Sequence, residues 1–502
     1  MLKMKKKTIR ILTFLLTFIF MLSSTLPVFA TENEFVPVDV NNSEYKGKLA
    51  NFYIQQAISL IMSKYKFDVT KEELYKAALE KIILDNPQLL NDTFKALFDS
   101  LDEHTTYYTQ DEFDNYINNM TNEVFGIGVL VSSTQNGMFV NKVYNNSPAK
   151  ESGFKVADVI ISVDGKNVVG VDFDVARSYV AGPENSSVNL TVLRNGQTID
   201  ITTVRRKVIV EPGFYQTVED DTIGYIALYD FYEHAGEFVA NALKHFDEKN
   251  INNVILDLRN NPGGSVSTMV EIASLLIPEG PAIHFEFKDS NRNNTLYSTN
   301  KNPKYNVAVL VNNNSASASE AISAAIQDTG VGIVIGTDTF GKGTMQNITS
   351  FKIGGGIKMT EAEYLSPNKR KINGIGVGPD IYVEDKIVDY SKSNYKKVTY
   401  DRVMKIGDTG SDVFALEERL YFLGYEIGIP DEIYDKKTEE AVTAFQSVTQ
   451  LYPYGVADIT TQLKLEEVLS GSKVVQNDTY KRAVDVFKNE DWNDYVFEPI
   501  QK

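Results

Sequence analysis

The stretch VAVLVNNNSASASEAISAAIQDTGVGIVIGTDTFGKGTMQ, Val307 to Gln346, decides the reading of this chain. Val307 to Val311 is a short apolar, β-branched run, the mark of a buried strand. Three asparagines then break it, since Asn favours turns over strands. A cluster of small residues with three serines follows. From Ser317 the spacing turns helical, with Ala318, Ile322, Ala325 and Ile326 on one face. Val331 to Ile335 is a second buried strand, and it runs into a glycine-flanked lysine, Gly341-Lys342-Gly343. A serine at a helix start and a lysine at a strand end, in one compact unit, are the parts of a nucleophile and its base.

Outward from this unit, residues 211–395 alternate between α and β patterns. Ile223 to Leu228 reads as a strand, Ala235 to Phe246 as a helix, and Val254 to Arg259 as a buried strand. The last ends in Asn260-Asn261-Pro262-Gly263-Gly264. Two glycines at such a strand-to-helix turn can aim bare N–H groups into a cleft and receive an anion or oxyanion.

Three chemistries compete for the central stretch. Gly336 to Lys342 matches the first seven positions of a phosphate loop, but Gly343 stands where Ser or Thr should hold the metal, and Asp338 would repel the phosphates. A purely structural reading makes Ser315 an N-cap and Lys342 a glycine-bounded lysine with no catalytic role. The third reading is a Ser–Lys dyad. A serine hydroxyl attacks only when a base takes its proton, and lysine can replace histidine in that role. The lysine must then be neutral, which requires its pKa to fall by roughly 2–3 units from about 10.4. Phe340, the two glycines and Met345 suit a tight, largely apolar pocket. Gln346, four residues on, can hold the neutral amine without adding charge, whereas a carboxylate there would raise the lysine pKa.

The whole chain narrows the classes further. Its 502 residues suit about three domains. The formal charge of -17 becomes -22 once residues 1–30 are set aside, because they carry Lys3, Lys5, Lys6, Lys7, Arg10 and no acid. So acidic a chain, with no basic block, argues against nucleic acid as a partner. There is no cysteine, hence no disulfide and no thiolate metal site; the four histidines are not spaced as ligands, so neither a metal nor another cofactor is expected. A basic start, an apolar run from Ile11 to Leu22 and Val28-Phe29-Ala30 predict an export signal cut after Ala30, the alternative being an uncleaved anchor. The mature protein is thus expected in the cell envelope or secreted.

Residues 31–43 read as a flexible leader and 44–116 as helical. Thr70 with Glu73, and Thr109 with Glu112, carry capping-box spacing. The region is a packing module or a homodimerisation arm. Residues 123–207 switch to short strands with an Asp164-Gly165 turn and an Asn195-Gly196 hairpin. With Ser147-Pro148-Ala149 this pattern resembles a PDZ domain. The resemblance implies that the loop Phe125-Gly126-Ile127-Gly128 holds a peptide's terminal carboxylate on backbone N–H groups while the peptide adds as a strand. Residues 402–469 resemble the small helical peptidoglycan-binding domain of cell-wall enzymes, departing from it at Glu417, usually Gln, and at Asp435, usually Gly. Residues 470–502 read as a C-terminal helix, Thr479 to Phe487, and a tail with Trp492.

Taken in order, these residues resemble the C-terminal processing (tail-specific) peptidases, which are Ser–Lys endopeptidases. The match runs over about residues 44–390. It includes Leu101-Asp102, Tyr107-Tyr108, Gly126-Ile127-Gly128, Ile255 to Gly264, Ser315-Ala316-Ser317-Ala318-Ser319-Glu320, Gln327-Asp328, Thr339 to Gln346 and Gly376 to Asp380. The resemblance implies Ser317 as nucleophile, Lys342 as general base and Gln346 as the residue that orients it. It also implies an oxyanion hole from backbone N–H groups of Ala318, Gly263 and Gly264. Ala181 stands where the family often has an arginine that couples PDZ position to the active site.

The expected whole is an α+β multidomain protein: a helical N-terminal region, a PDZ β-sandwich-like domain, an α/β peptidase core and a small all-α C-terminal domain. Its expected function is cleavage of proteins or peptides with exposed C-termini, gated by the PDZ domain and tethered to peptidoglycan, with an activating partner left unidentified. The alternative is an inactive wall-bound scaffold that only binds peptides.

Overall fold

In the computed structural model, residues 43–120, 123–194, 196–352, 354–449 and 451–492 are described. The export signal over residues 1–30 and nearly all of the leader lie outside them. The chain divides into two compact units at Leu90/Asn91. The first holds α1 (Ser43–Lys64) and α2 (Lys71–Asp85). Thr70 caps α2 as its spacing predicts, accepting the Glu73 N–H at 3.2 Å and donating its own N–H to the Glu73 carboxylate at 2.7 Å. Phe52, Leu60, Leu79 and Leu84 stay exposed on these helices, as do Tyr65 and Phe67 between them.

At the division lies α3 (Leu89–Asp99), followed by β1 (Thr106–Tyr108) and α4 (Gln110–Asn119). The region predicted to be wholly helical therefore contains a strand. Tyr107 is why: it is buried against Phe94 and Phe351, and β1 pairs with a strand some 250 residues later, a partner that local periodicity does not reveal.

The PDZ-like unit comprises β2 (Glu123–Gly126), β3 (Val129–Thr134), β4 (Gly137–Val143), α5 (Pro148–Glu151), β5 (Val159–Val163), β6 (Lys166–Asn167), α6 (Phe173–Val180), β7 (Ser187–Arg194), β8 (Gln197–Val204) and β9 (Arg206–Ile209). Its main sheet runs β3-β4-β5-β7-β8, so β3 is an edge strand with a free side. Gly128, just before it, has φ +83°, and a Cβ there would come within 2.3 Å of Ser147 Cβ; no other residue fits.

The central sheet is built from β10 (Gly213–Val218), β11 (Ile223–Leu228), β12 (Asn253–Asp257), β15 (Asn306–Val311), β16 (Gly332–Gly336) and β19 (Ile381–Tyr382), in that order. All but the edge strand β10 are parallel. Between them come α7 (Ala235–Glu248), α8 (Val266–Leu276), the hairpin β13 (Gly280–Phe287) and β14 (Asn294–Ser298), and α9 (Ala318–Thr329). These helices bury one face of the sheet through residues such as Val239, Phe246, Ile272, Ile322 and Ile326. A second, antiparallel sheet of order β1-β18-β13-β14, with β17 (Thr344–Ser350) also paired to β18 (Gly356–Leu365), stands against this layer.

The opposite face of the central sheet is covered from the C-terminal part of the chain. After β20 (Ile387–Asp389) come α10 (Ser411–Phe422), α11 (Lys436–Val448), α12 (Ile459–Leu469), β21 (Lys473–Val475) and α13 (Asp478–Asn489). Ile255, Ala308, Leu310, Ile333 and Ile335 form one cluster with Ala483, Val484 and Val486 of α13, and with Ile429 of the domain before it. Phe487 stacks on Trp492 at 4.9 Å. So α13, expected as a terminal helix and tail, is the second layer of the peptidase core. The segment that leaves the core near Asp389 begins in β20, which pairs with β21. The 402–469 unit, expected to stand apart, is likewise docked: Gln216 exchanges two hydrogen bonds with the backbone of Ile429, and Lys142 of β4 pairs with Glu426 at 2.5 Å.

The departures at Glu417 and Asp435 have local explanations. Asp435 caps α11, accepting the Thr438 N–H at 2.9 Å. Glu417 is buried, accepts the Asp431 N–H at 2.8 Å and receives the Thr438 hydroxyl; burial pushes its pKa up to about 8. At neutral pH it is therefore mostly a protonated acid, close in shape and polarity to glutamine. A carboxyl with a raised folded pKa contributes stability that is present below its unfolded pKa and is lost as pH rises through 8. Compared with Glu417→Gln, the wild type should lose up to about 1.4 kcal/mol of stability per pH unit over that range. Thermal unfolding of the two proteins from pH 5 to 9 checks this: parallel curves would refute it.

Candidate active site

The parallel strands β12, β15 and β16 are neighbours, and the loops leaving their carboxyl ends meet. This is where open α/β sheets bind ligands. The β12 loop brings Gly263 and Gly264, the β15 loop brings Ser317, and the β16 loop brings Lys342. All four line one cleft of about 540 Å³, with Ala318 and Gln346. The six residues that the sequence nominates for catalysis are thus brought together, although they span more than eighty positions.

Ser317 sits at the N-terminus of α9 with φ +57° and ψ -115°. That is a strained conformation for a side-chain-bearing residue, of the kind held in place at functional turns. The other two serines of the triplet are fully buried. Ser315 Oγ donates to the Leu258 carbonyl at 2.7 Å, and Ser319 Oγ donates to the Asn261 carbonyl at 3.0 Å. Both tie the serine turn to the glycine turn, and neither reaches the cleft. The asparagines do the same work. Asn260 donates its N–H to Asn312 Oδ1 at 2.9 Å, and Asn312 and Asn314 donate their amides to Asn260 Oδ1.

Glu320, three residues after Ser317, is completely buried and accepts four hydrogen bonds. Its Oε2 receives the Ser317 and Lys342 N–H groups, each at 2.8 Å. Its Oε1 receives the Gly341 N–H and the Thr339 hydroxyl, each at 2.6 Å. Tyr364, also buried, places its hydroxyl 2.8 Å from the Ser317 carbonyl and 2.5 Å from the Lys342 carbonyl. One carboxylate and one phenol thus fix the backbone of both residues at once. The sequence showed Glu320 only as the last residue of the serine motif and gave no sign of Tyr364.

Lys342 is half-buried in the cleft. Burial, and then the like charge of Lys358, hold its pKa below the usual lysine range, while Glu320 and Glu103 pull the other way. Part of its expected surroundings differs. Phe340 is 59% exposed, so the apolar contact comes from Met345 and Tyr364 of the cleft wall instead. A glycine at 343 is obligatory, because a Cβ there would lie 2.2 Å from the Asn373 nitrogen.

Gln346 shares the cleft, but its amide nitrogen donates to Thr344 Oγ1 at 2.9 Å and to Thr360 Oγ1 at 3.1 Å. Thr360 in turn donates to Asp102 at 3.1 Å, which places the Leu101-Asp102 motif behind Gln346. Gly263 also differs from expectation. Its N–H donates to Asn261 Oδ1 at 2.8 Å, so it is already engaged. A Cβ on Gly263 would come within 2.8 Å of Ser317 Cβ and of the Ala318 nitrogen, so its requirement for glycine is one of close approach. In the PDZ-like unit, Gly126 to Gly128 leads directly into the free edge of β3; Ile127 is buried and Phe125 is exposed.

Comparison with known proteins matches the units of the chain to known domains. The model of peptidase family S41 matches residues 222–383, that of the PDZ domain matches 126–204, and that of a peptidoglycan binding domain matches 409–465. The carboxy-terminal processing protease CtpA of Bacillus subtilis (strain 168) is 30% identical over 412 residues, covering 81% of this chain and 86% of the relative. A "Probable CtpA-like serine protease" of Staphylococcus aureus (strain COL) is 28% identical over 438 residues, covering 87% and 84%. Among solved structures, a photosystem II D1 C-terminal processing protease is 23% identical, with a TM-score of 0.40, over 66% of this chain and 92% of that one.

Proposed function

The chain belongs to peptidase family S41 with the carboxy-terminal processing proteases, and on that premise we propose that it cleaves proteins near their C-termini with Ser317 and Lys342 as its catalytic pair. Neutral Lys342 Nζ takes the proton of Ser317 Oγ as the oxygen attacks the scissile carbonyl. The developing oxyanion is received by the Ala318 and Gly264 N–H groups, since that of Gly263 is held by Asn261. Protonated Lys342 then gives its proton to the leaving amine, and an acyl ester remains on Ser317. Water, deprotonated by the same lysine, releases it. Gln346 keeps its amide oxygen for the lysine while Thr344 and Thr360 hold its nitrogen.

The observation that carries this reading is the convergence of Ser317, Lys342 and the glycine turn at the carboxyl ends of three adjacent parallel strands. The PDZ domain supports capture of a substrate tail at Gly126 to Gly128 and along β3. Exposed apolar side chains on α1 and α2 support a homodimer. The C-terminal domain supports attachment to peptidoglycan, and the sequence over residues 1–30 supports export. A fluorogenic peptide with a free C-terminus, incubated with the purified protein, should be cut at an internal bond, and mass spectrometry should find a transient adduct of 317's peptide. A protein that cuts no peptide and forms no adduct would refute the reading.

A further inference from the structure

We propose that Lys358 is a binding site for a substrate carboxylate, set apart from the reacting atoms; this rests on the peptidase reading above. The chain is strongly acidic, with 67 Asp and Glu against 50 Lys and Arg. Yet among the described residues that line the catalytic cleft there is no Asp or Glu, and the only charged side chains are Lys342 and Lys358. A lysine acting as general base is neutral, so Lys358 supplies the standing charge of the cleft. Its ammonium forms no ion pair among the described residues. It lies 5.7 Å from the Tyr116 ring centroid, a contact that orients a cation without neutralising it.

The acid that acts on it, Asp102, is already committed: it receives Thr105, Thr360 and the His104 N–H. A half-buried cation without an ion pair is the state that a ligand's carboxylate relieves: burial depresses the Lys358 pKa, and Asp102 offsets that only in part.

The register gives the spacing. Along β17 and β18, Thr344 faces Glu363, Gln346 faces Thr360 and Ile348 faces Lys358. Lys358, opposite Ile348, thus lies four β17 positions beyond Thr344, past a register shift between Met345 and Gln346, and both it and Thr344 line the cleft. At about 3.3 Å per residue, an extended substrate would present its carboxylate roughly three to five residues from the scissile bond. That carboxylate is either a substrate's own C-terminus or an acidic side chain.

The test uses the full chain and matched peptides. One arm places Glu or Gln at each position up to five residues on either side of the cleaved bond, in peptides with amidated ends. A second arm compares free and amidated C-termini at the same distances. In wild type, kcat/KM should favour the carboxylate at one distance by about tenfold or more, equivalent to about 1.4 kcal/mol. The ratio should fall to near one in K358M, persist in K358R and reverse toward Lys-bearing peptides in K358E. Because a ratio is read, any change in Lys342 basicity cancels. Preference for Glu over Gln identifies a side chain; preference for free over amidated ends identifies a terminus. An undiminished ratio in K358M, or equal cleavage of charged and neutral peptides by wild type, overturns the proposal and leaves the peptidase reading intact. If wild type cuts none of the peptides, the peptidase reading fails, and their affinity for S317A with and without K358M decides the carboxylate site alone.

Discussion

Replacement of Ser317 by Ala, or of Lys342 by Met, is expected to lower kcat on the order of 10⁴-fold or more, and the double variant should be no worse than either single one. Residues that act as one unit give such non-additive losses, because removing one leaves the other nothing to activate. The residual rate comes from binding and from the Ala318 and Gly264 donors. Neither variant should unfold. The Ser317 hydroxyl supports no part of the core, and the backbone of both residues is held by Glu320 and Tyr364 whatever their side chains. Near-wild activity in either variant would sink the dyad.

The pH profile adds a signature that a structural role would not produce. The acid limb of kcat/KM follows deprotonation of Lys342, so activity rises as pH climbs through its pKa. Burial and Lys358 bring that limb below the ordinary lysine range. Glu320 opposes them, so Glu320→Gln should move the limb to lower pH even as it loosens the turn and lowers kcat. Titration of cleavage rate from pH 5 to 10 would show both effects; an unmoved limb would count against Lys342 as the base.

The second large effect concerns α13. A chain ending at Gln476 should fail to give soluble, folded protein, although every strand of the central sheet, Ser317 and Lys342 would remain. Such a truncation strips the cover from Ile255, Leu310, Ile333 and Ile335 and removes Val484, Val486 and Phe487. At about 1.5–3 kcal/mol for each large side chain returned to water, the loss is on the order of 10 kcal/mol, comparable to the whole stability of a typical domain. It also removes Asn477, which accepts from Arg259 at 2.6 Å, and the Thr479 N–H that binds Asp385 at 2.8 Å. Arg259 is buried between Asp257 and Asp385 and immediately precedes the glycine turn, so the damage would reach the cleft. Expression level, circular dichroism and size-exclusion behaviour of the truncated chain check this; a folded, monodisperse product would show that α13 is dispensable. For the same reason, peptidoglycan attachment is better tested with surface substitutions on α10 to α12 than by deletion from residue 402.

The sequence made the strands of the central sheet legible because parallel strands buried on both faces are continuous apolar runs. The turns after β12, β15 and β16 were legible because Gly, Asn and Ser cluster there. The capping residues Thr70 and Thr109 and the Asp164-Gly165 turn follow local rules that act over a few positions. What local pattern does not carry is pairing at long range. The β1 to β18 pairing, the burial of Tyr364 under the dyad and the docking of α13 all join residues far apart in the chain. Glu320 was visible only as part of the serine motif, and its grip on Lys342 depends on a loop twenty-two residues later. Gly263 reads as an oxyanion donor until Asn261, two residues away, is seen to accept its N–H.

The docking of α13 also sets an order in time. A chain is made and delivered N-terminus first, so the strands that carry Ser317 and Lys342 emerge well before the helix that seals their sheet. Until residues 478–489 arrive, one face of that sheet is bare and the Arg259 junction beside the glycine turn is unfinished. On the proposed mechanism, assembly itself would therefore act as a safeguard: the nascent chain holds Ser317 and Lys342 without the frame that would let them work, and a competent enzyme would form only after the docking helix has been released.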